Sequence, residues 1–157
     1  MSYMCGSLSK LLRRRDGSSL IETAFLMPML LLILAGAVDF GRAYYLSNEI
    51  SSAAHAGAVY GTVYLPDDAG VQTAAQLDAP DIAGLTVTAT HGCECFDGSS
   101  VIVNCATPPS VSTCSGNNYV NYVQVTTSTT YTPLFPYPGI PSSFTLQGNA
   151  YLRSGGD

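Results

Sequence analysis

The sequence is poor in charged residues and contains no tryptophan. Asp, Glu, Lys and Arg together make up 11% of its 157 residues, whereas Gly, Pro and Tyr are frequent, with 15, 9 and 10 copies. This composition disfavours a cytosolic enzyme and fits a β-rich exported domain. The length leaves room for one compact domain of about 100 residues once a membrane anchor is subtracted.

Basic residues are scarce after the first fifteen positions, which hold Lys10, Arg13, Arg14 and Arg15. From Ala43 onward, eight acidic residues face a single basic residue, Arg153, which gives a net charge of −7. Recognition of nucleic-acid phosphates requires clustered cations. We therefore expect no nucleic-acid partner for this part of the chain.

The sequence also lacks the common catalytic motifs G-x-S-x-G, H-E-x-x-H and the P-loop. It has two histidines. His55 lies among small residues in a helical pattern. His91 lies beside cysteines and could form a Cys–His nucleophile pair only if those thiols stay reduced. We expect no enzymatic activity and no cofactor.

Residues 20–38 form an apolar run in which Glu22 is the only charged residue. As a helix this run spans about 28 Å, close to the hydrocarbon thickness of a bilayer. It is apolar on every side, which disfavours a buried core helix in so small a domain. Pro28 removes one helical hydrogen bond and predicts a kink, which membrane helices tolerate.

Cations precede the apolar run, and Asp39 follows it. The positive-inside rule then predicts a cytoplasmic N-terminus and a translocated C-terminal domain. A cleaved secretory signal peptide has the same polarity, and Ala35-Gly36-Ala37 resembles its small-residue cleavage site, so this alternative stays open. Asp39 and Arg42, three residues apart, can pair on the helix surface as it leaves the bilayer.

Gly17 immediately precedes Ser18, and Glu22 is the fifth residue after that junction. This arrangement, with a basic leader before it and an apolar helix after it, resembles the processing signature of type IV pilins. The resemblance implies that a prepilin peptidase cuts between Gly17 and Ser18. It also implies that Glu22 pairs with the freed Ser18 ammonium of a neighbouring subunit, which stabilises a carboxylate in apolar surroundings.

Three blocks of sequence resemble the TadE-like proteins of tight-adherence (Flp) pilus systems. The third block, residues 53–61, departs from the family pattern, because His55, Ala56 and Val59 stand where the family has charged residues. Its small apolar surface suits close packing against helices of other subunits. The blocks are Gly17 with Glu22, Ala24 and Pro28, then Asp39-Phe40-Gly41-Arg42, and finally residues 53–61.

Beyond the apolar run, the pattern predicts a helix over residues 18–64 and a second, short helix over 71–77. Period-two alternation predicts strands over 85–90 and 144–153, and richness in Tyr, Val and Thr predicts a longer strand over 119–132. The proline-rich stretch 133–141 is expected to be a stiff connector, or alternatively a polyproline ligand. The expected fold is α+β: a long N-terminal transmembrane helix, with an antiparallel sheet packed on its exported half.

Cys5 lies in the leader, where we expect it to stay reduced, whereas four further cysteines fall in one loop region of the exported domain. An oxidising compartment favours disulfides there, with two plausible connectivities: 93–105 with 95–114, or 93–114 with 95–105. A zinc site that includes His91 is the alternative, but the spacing does not match paired C-x-x-C knuckles. The four cysteines are Cys93, Cys95, Cys105 and Cys114.

These features predict a single-pass protein of a bacterial inner membrane, with a leader at 1–17, a long helix at 18–64 and a stapled β-domain at 65–157. The family resemblance implies a structural subunit processed by a prepilin peptidase. Its expected partners are the membrane, other copies of itself and other pilins. The alternatives are a scaffold that does not polymerise and a membrane-tethered periplasmic binding protein or thiol enzyme.

Overall fold

The computed structural model describes residues 16–99, 101–106, 113–114 and 118–154. The basic leader up to Arg15, including Cys5, lies outside the described residues, so its expected role stays a prediction. The chain divides into two compact units, Met1–Gly41 and Arg42–Asp157. The elements are α1 (Asp16–Val63), α2 (Asp68–Asp78), β1 (Thr86–Cys95), β2 (Ile102–Val103), β3 (Tyr119–Tyr131) and β4 (Phe144–Ser154).

Helix α1 contains 48 residues, close to the expected span of 18–64. Its polar residues are compatible with a helix because their hydroxyls bond within it. Thr23 and Ser51 each donate to the carbonyl oxygen four residues earlier, at 2.8 Å. Pro28 lies inside the helix, which continues beyond it. The kink expected at Pro28 stays a prediction.

Helix α2 begins three residues before the expected start, because Asp67 caps it. The Asp67 carboxylate accepts a hydrogen bond from the Gly70 amide at 2.9 Å. Its other oxygen accepts one from the Tyr60 hydroxyl at 3.0 Å, which ties the end of α1 to the start of α2. This hydrogen bond to Asp67 also raises the pKa of Tyr60.

The four strands form one antiparallel sheet in the order β2-β1-β3-β4. The α+β class with a pilin-like layout is therefore confirmed. Two details differ from expectation: β1 continues through Cys95, and β2 adds a short fourth strand. Both lie beside the cysteines, where alternation stops at Gly92 and no periodic pattern marks a strand.

The core of the second unit lies between α1, α2 and one face of the sheet. A buried hydrogen bond joins these layers, because the Thr127 hydroxyl donates to the Ile50 carbonyl at 2.6 Å. Valines of β3 face alanines of α1, so small helix residues meet β-branched strand residues. The fully or nearly fully buried members are Ile50, Ala53, Ala54, Ala58, Val71, Ala79, Ile82, Val123 and Val125.

Candidate functional site

The N-terminal part of α1 exposes its apolar side chains. All residues from 19 to 34 are exposed, and Phe25 retains 82% of its accessible surface. Exposing this much contiguous apolar surface to water is unfavourable. Since the helix is also long enough, it can cross a membrane, as the sequence predicts.

Glu22 is an exposed carboxylate on this apolar surface. Gly17 and Ser18, the expected cleavage residues, already belong to α1, although their side chains lie outside the described residues. Ser18 and Glu22 are four residues apart and therefore lie on the same helix face. The structure thus places the expected cleavage point and the expected pairing residue one turn apart.

The D-F-G-R residues lie where the apolar run ends. Asp39 is only 6% exposed, so the prediction that it lies on the helix surface is wrong. The Arg42 guanidinium lies over the Tyr131 ring, 5.6 Å from its centroid, at a distance that allows a cation–π interaction. Sequence reasoning missed this contact, because 89 positions separate the two residues along the chain.

Glycines along α1 fall into two classes. A Cβ added at Gly36 or Gly41 would meet no other atom of the described residues within 4 Å. In contrast, a Cβ at Gly61 would lie 2.8 Å from Cγ1 of Val123, and one at Gly57 would lie 3.0 Å from the Val71 carbonyl oxygen. Packing inside the chain therefore requires the second pair of glycines and does not account for the first pair.

The small residues of block 53–61 are covered by the chain itself. Ala53, Ala54 and Ala58 are completely buried against α2 and the sheet. Ala54 and Ala58 pack with Val71, Val123 and Val125. In contrast, His55 and Val59, which depart from the family pattern, are exposed. That the surface they leave packs against helices of other subunits stays a prediction.

Four cysteines of the second unit form two disulfides, Cys93–Cys105 and Cys95–Cys114, each with a Cα–Cα distance of 5.3 Å. This is the first of the two connectivities considered above. Cys93 and Cys95 lie in strand β1, so their expected position in a loop is wrong. The bridges tie the segments around positions 105 and 114 to β1, and each contributes about 2–4 kcal/mol by restricting the unfolded chain.

Glu94, between the two bridged cysteines, is a buried carboxylate with only 2% exposure. It accepts a short hydrogen bond from Nε of Arg153 in β4. Tyr122 covers Gly92, since a Cβ at Gly92 would lie within 3 Å of the Tyr122 ring. Tyr151 stacks on Tyr122 with a centroid distance of 5.3 Å. We call Glu94, Tyr122, Tyr151 and Arg153 the Glu94 cluster.

The Glu94 cluster changes the acidity of its members. Burial, together with a hydrogen bond to Glu94, raises the pKa of Tyr151 to about 12. The hydrogen bond with Glu94 also raises the pKa of Arg153. Sequence analysis missed this cluster, although Arg153 was visible as the only cation after Arg42. An isolated cation in an acidic domain is a usable signal for a specific ion pair.

The two histidines have different environments. His55 is exposed on α1. Nδ1 of His91 lies 2.9 Å from Oδ1 of Asp68, which links β1 to the first turn of α2. All four cysteines beside His91 are bridged. Within the described ranges, no group of three or more His, Cys, Asp or Glu side chains is arranged to hold a metal ion.

A long apolar N-terminal helix followed by a small antiparallel sheet defines the class of pilin-like proteins with a helix that can serve as a membrane anchor. Residues 17–59 match the family model described as TadE-like protein, the family that the motifs of this segment resemble. The family is a structural, pseudopilin-like component of Tad pilus systems. No curated protein and no solved structure gives a significant match to the chain.

Proposed function

We propose that this chain is a pilin-like structural subunit of a Tad pilus or related filament. In this proposal, a prepilin peptidase cuts the precursor between Gly17 and Ser18, and the mature chain assembles with its own copies or with other pilins. The observation that carries the proposal is the position of Glu22. It is an exposed carboxylate on an exposed apolar helix, five residues after Gly17 in the TadE-like segment.

A carboxylate at the position of Glu22 requires a partner once the helix is in a membrane. An ionisable side chain in a spanning segment costs about 2–3 kcal/mol unless it is paired or reaches the interface. Before cleavage, the nitrogen of Ser18 is an uncharged peptide amide. Cleavage converts it into an ammonium, which supplies a cation for Glu22 of a neighbouring subunit. Processing would thereby create the contact that assembly needs.

Gly36 and Gly41 support helix-to-helix assembly. Neither glycine is required by contacts within the described part of the chain. Small residues on membrane helices allow two backbones to approach closely. Each of these two positions has space for a neighbouring α1 to approach, whereas Ala53, Ala54 and Ala58 already pack inside the chain.

The proposed orientation places the sheet outside the cytosol. Four cations precede the apolar run, and the second unit carries two disulfides. Disulfides persist in the periplasm and at the cell surface but are rare in the cytosol. Charge bias and cysteine pairing therefore support the same orientation in a bacterial inner membrane.

The test compares Glu22→Gln with Glu49→Gln, a matched change in α1 outside the apolar run. We expect mass spectrometry to find a mature chain that begins at Ser18 in the wild type and in both variants. A loss of about 2 kcal/mol per contact weakens incorporation roughly thirtyfold. Sheared surface filaments should therefore be depleted of Glu22→Gln and retain Glu49→Gln.

Four outcomes would contradict parts of the proposal. An intact leader in cells that contain the peptidase would refute the processing step, and removal of the whole apolar run would identify a signal peptide. Normal incorporation of Glu22→Gln would refute the pairing role. A processed wild-type chain that stays in the membrane fraction and never enters filaments would instead identify a stationary scaffold.

A further inference from the structure

The connection between β3 and β4, residues 132–143, presents exposed apolar side chains. Leu134, Phe135 and Ile140 retain 55%, 49% and 52% of their accessible surface. The connection contains no Asp, Glu, Lys or Arg. Single apolar residues on a surface are ordinary, but three of them on one short uncharged connection favour an interaction surface. We call residues 132–143 the apolar loop.

A hydrogen-bonded turn orders the tip of the apolar loop. The Ile140 amide donates to the Tyr137 carbonyl at 3.2 Å, with Pro138 and Gly139 between them. Gly139 has φ of 84°, which fits the third position of a type II turn, and Pro138 fits the second. The turn restricts the loop backbone, so its apolar side chains remain at the surface.

The apolar loop starts close to Arg42, the first residue of the second unit. Thr127 of β3 bonds to Ile50 of α1, and Tyr131, four residues further along β3, lies against Arg42. The strand from Thr127 to Tyr131 and the helix from Ile50 back to Arg42 each cover about 12–13 Å. Strand β3 therefore runs back toward Arg42, and the apolar loop starts immediately after Tyr131.

Arg42 marks the level of the membrane surface if the helix anchors the chain as proposed above. The apolar run ends at Val38, and four further residues advance the helix by about 6 Å. The headgroup layer on each side of a bilayer is about 5–7 Å thick. Chain continuity alone therefore keeps Arg42, and with it Tyr131 and the start of the apolar loop, near the headgroups.

We infer that the apolar loop inserts Leu134, Phe135 and Ile140 into the interface of the same membrane that α1 spans. Aromatic and aliphatic side chains are favoured at this depth, and the absence of acidic residues avoids repulsion from anionic lipids. The inference rests on the proposed anchoring. It adds a second contact, which would hold the sheet against the bilayer before the subunit is extracted into a filament.

Single tryptophans can test this inference, because the natural sequence contains none. Phe135→Trp reports on the apolar loop. Phe96→Trp is the matched control, since Phe96 is 65% exposed and follows Cys95, at the opposite end of the β1–β3 ladder. Phe25→Trp reports on the spanning helix. Each full-length variant is reconstituted into phosphatidylcholine–phosphatidylglycerol vesicles whose acyl chains are unbrominated, brominated near the headgroup or brominated deep in the chain.

We expect blue-shifted emission from Phe135→Trp and a loss of its intensity in brominated vesicles. Phe96→Trp should emit as in water and keep its intensity. Phe25→Trp should be quenched by bromine placed deep in the acyl chains. Replacing Leu134 and Ile140 with Ser in the Phe135→Trp background should reduce the blue shift and the quenching, because less apolar surface then holds the loop in the interface.

The outcomes distinguish the proposed anchoring by α1 from the proposed contact of the apolar loop with the membrane. If Phe25→Trp is quenched and Phe135→Trp is not, the anchor stands and the loop contact is refuted. If Phe25→Trp is not quenched and the protein fails to float with the vesicles, both are refuted. A blue shift of Phe135→Trp without quenching would show that another protein copy, and not lipid, covers the loop, and would also refute the inference.

Discussion

At the scale of single residues, the Glu94 cluster pairs an acidic residue of β1 with a basic residue of β4. Glu94 is buried and bonded to Arg153, the only basic residue after Arg42. The other seven acidic residues after Ala43 therefore have no Lys or Arg of the second half to neutralise them. The net charge of this part is negative, which favours solubility and disfavours binding to nucleic acids.

The raised pKa of Tyr151 predicts a loss of stability at alkaline pH. Tyrosine has an ordinary pKa of 10.0, and folding raises that of Tyr151 to about 12. Between these values the unfolded chain releases the Tyr151 proton while the folded chain keeps it. The free energy of unfolding should therefore fall as the pH rises from about 10 to about 12. Urea unfolding followed by circular dichroism measures this slope.

Tyr151→Phe should show a shallower decline over the same pH range, because the titrating group is gone. Tyr44→Phe, which alters an exposed tyrosine of α1 outside the cluster, should behave like the wild type. An unchanged slope in Tyr151→Phe would show that burial and the hydrogen bond with Glu94 do not couple the titration of Tyr151 to folding.

At the scale of elements, the small residues of α1 have two different surroundings. Near Val38 the glycines have open space around them, whereas further along the helix the glycines and alanines lie under the sheet. Gly148 of the sheet also lies close to α1, since a Cβ added there would lie 2.7 Å from the Ile50 carbonyl oxygen. Backbone atoms on both sides of this contact cannot turn away as a side chain could.

Gly148→Ala should therefore destabilise the second unit by about 1–3 kcal/mol, the usual cost of overpacking a close contact. Gly41→Ala should leave its unfolding midpoint unchanged, because a Cβ there meets open space. Thermal unfolding followed by circular dichroism compares the two variants with the wild type. If the two substitutions had equal effects, the distinction between packed and open glycines would be wrong.

At the scale of the whole molecule, charge bias and disulfide formation both predict export of the C-terminal part. Alkaline phosphatase fused after Asp157 is active only outside the bacterial cytosol, so we expect an active fusion. Replacing Lys10, Arg13, Arg14 and Arg15 with Gln should reduce that activity, because the topological signal is removed. An inactive phosphatase fusion, together with a fluorescent cytosolic reporter at the same position, would contradict the orientation.

Peptide mapping of the exported protein without reduction checks the same prediction at the cysteines. We expect peptides linked through Cys93–Cys105 and Cys95–Cys114. Reduction should lower the unfolding midpoint, since each bridge contributes about 2–4 kcal/mol. Peptides linked 93–114 and 95–105 would contradict the structure and support the other connectivity.

The predictions that succeeded depend on local pattern. Local patterns indicated α1, β3 and β4 to within a few residues. These patterns are the apolar run, the turn residues after Val63 and the residue pattern of the two strands, which reflect the periods of helices and strands. The TadE-like motifs are local as well, since Gly17, Glu22 and Arg42 lie within one segment. The sequence did not show that Ala53, Ala54 and Ala58 are buried inside the chain, because small residues suit a foreign helix as well as the chain's own sheet.

By itself, the sequence determined the long apolar helix, the α+β class, the acidic character of the C-terminal part and the TadE-like segment. Only the tertiary structure decided the disulfide pairing, the burial of Glu94 against Arg153 and the contact between Arg42 and Tyr131. The physical reason is distance along the chain. Spacing and composition set local conformation, whereas these contacts form between residues that come together only after the sheet has packed on α1.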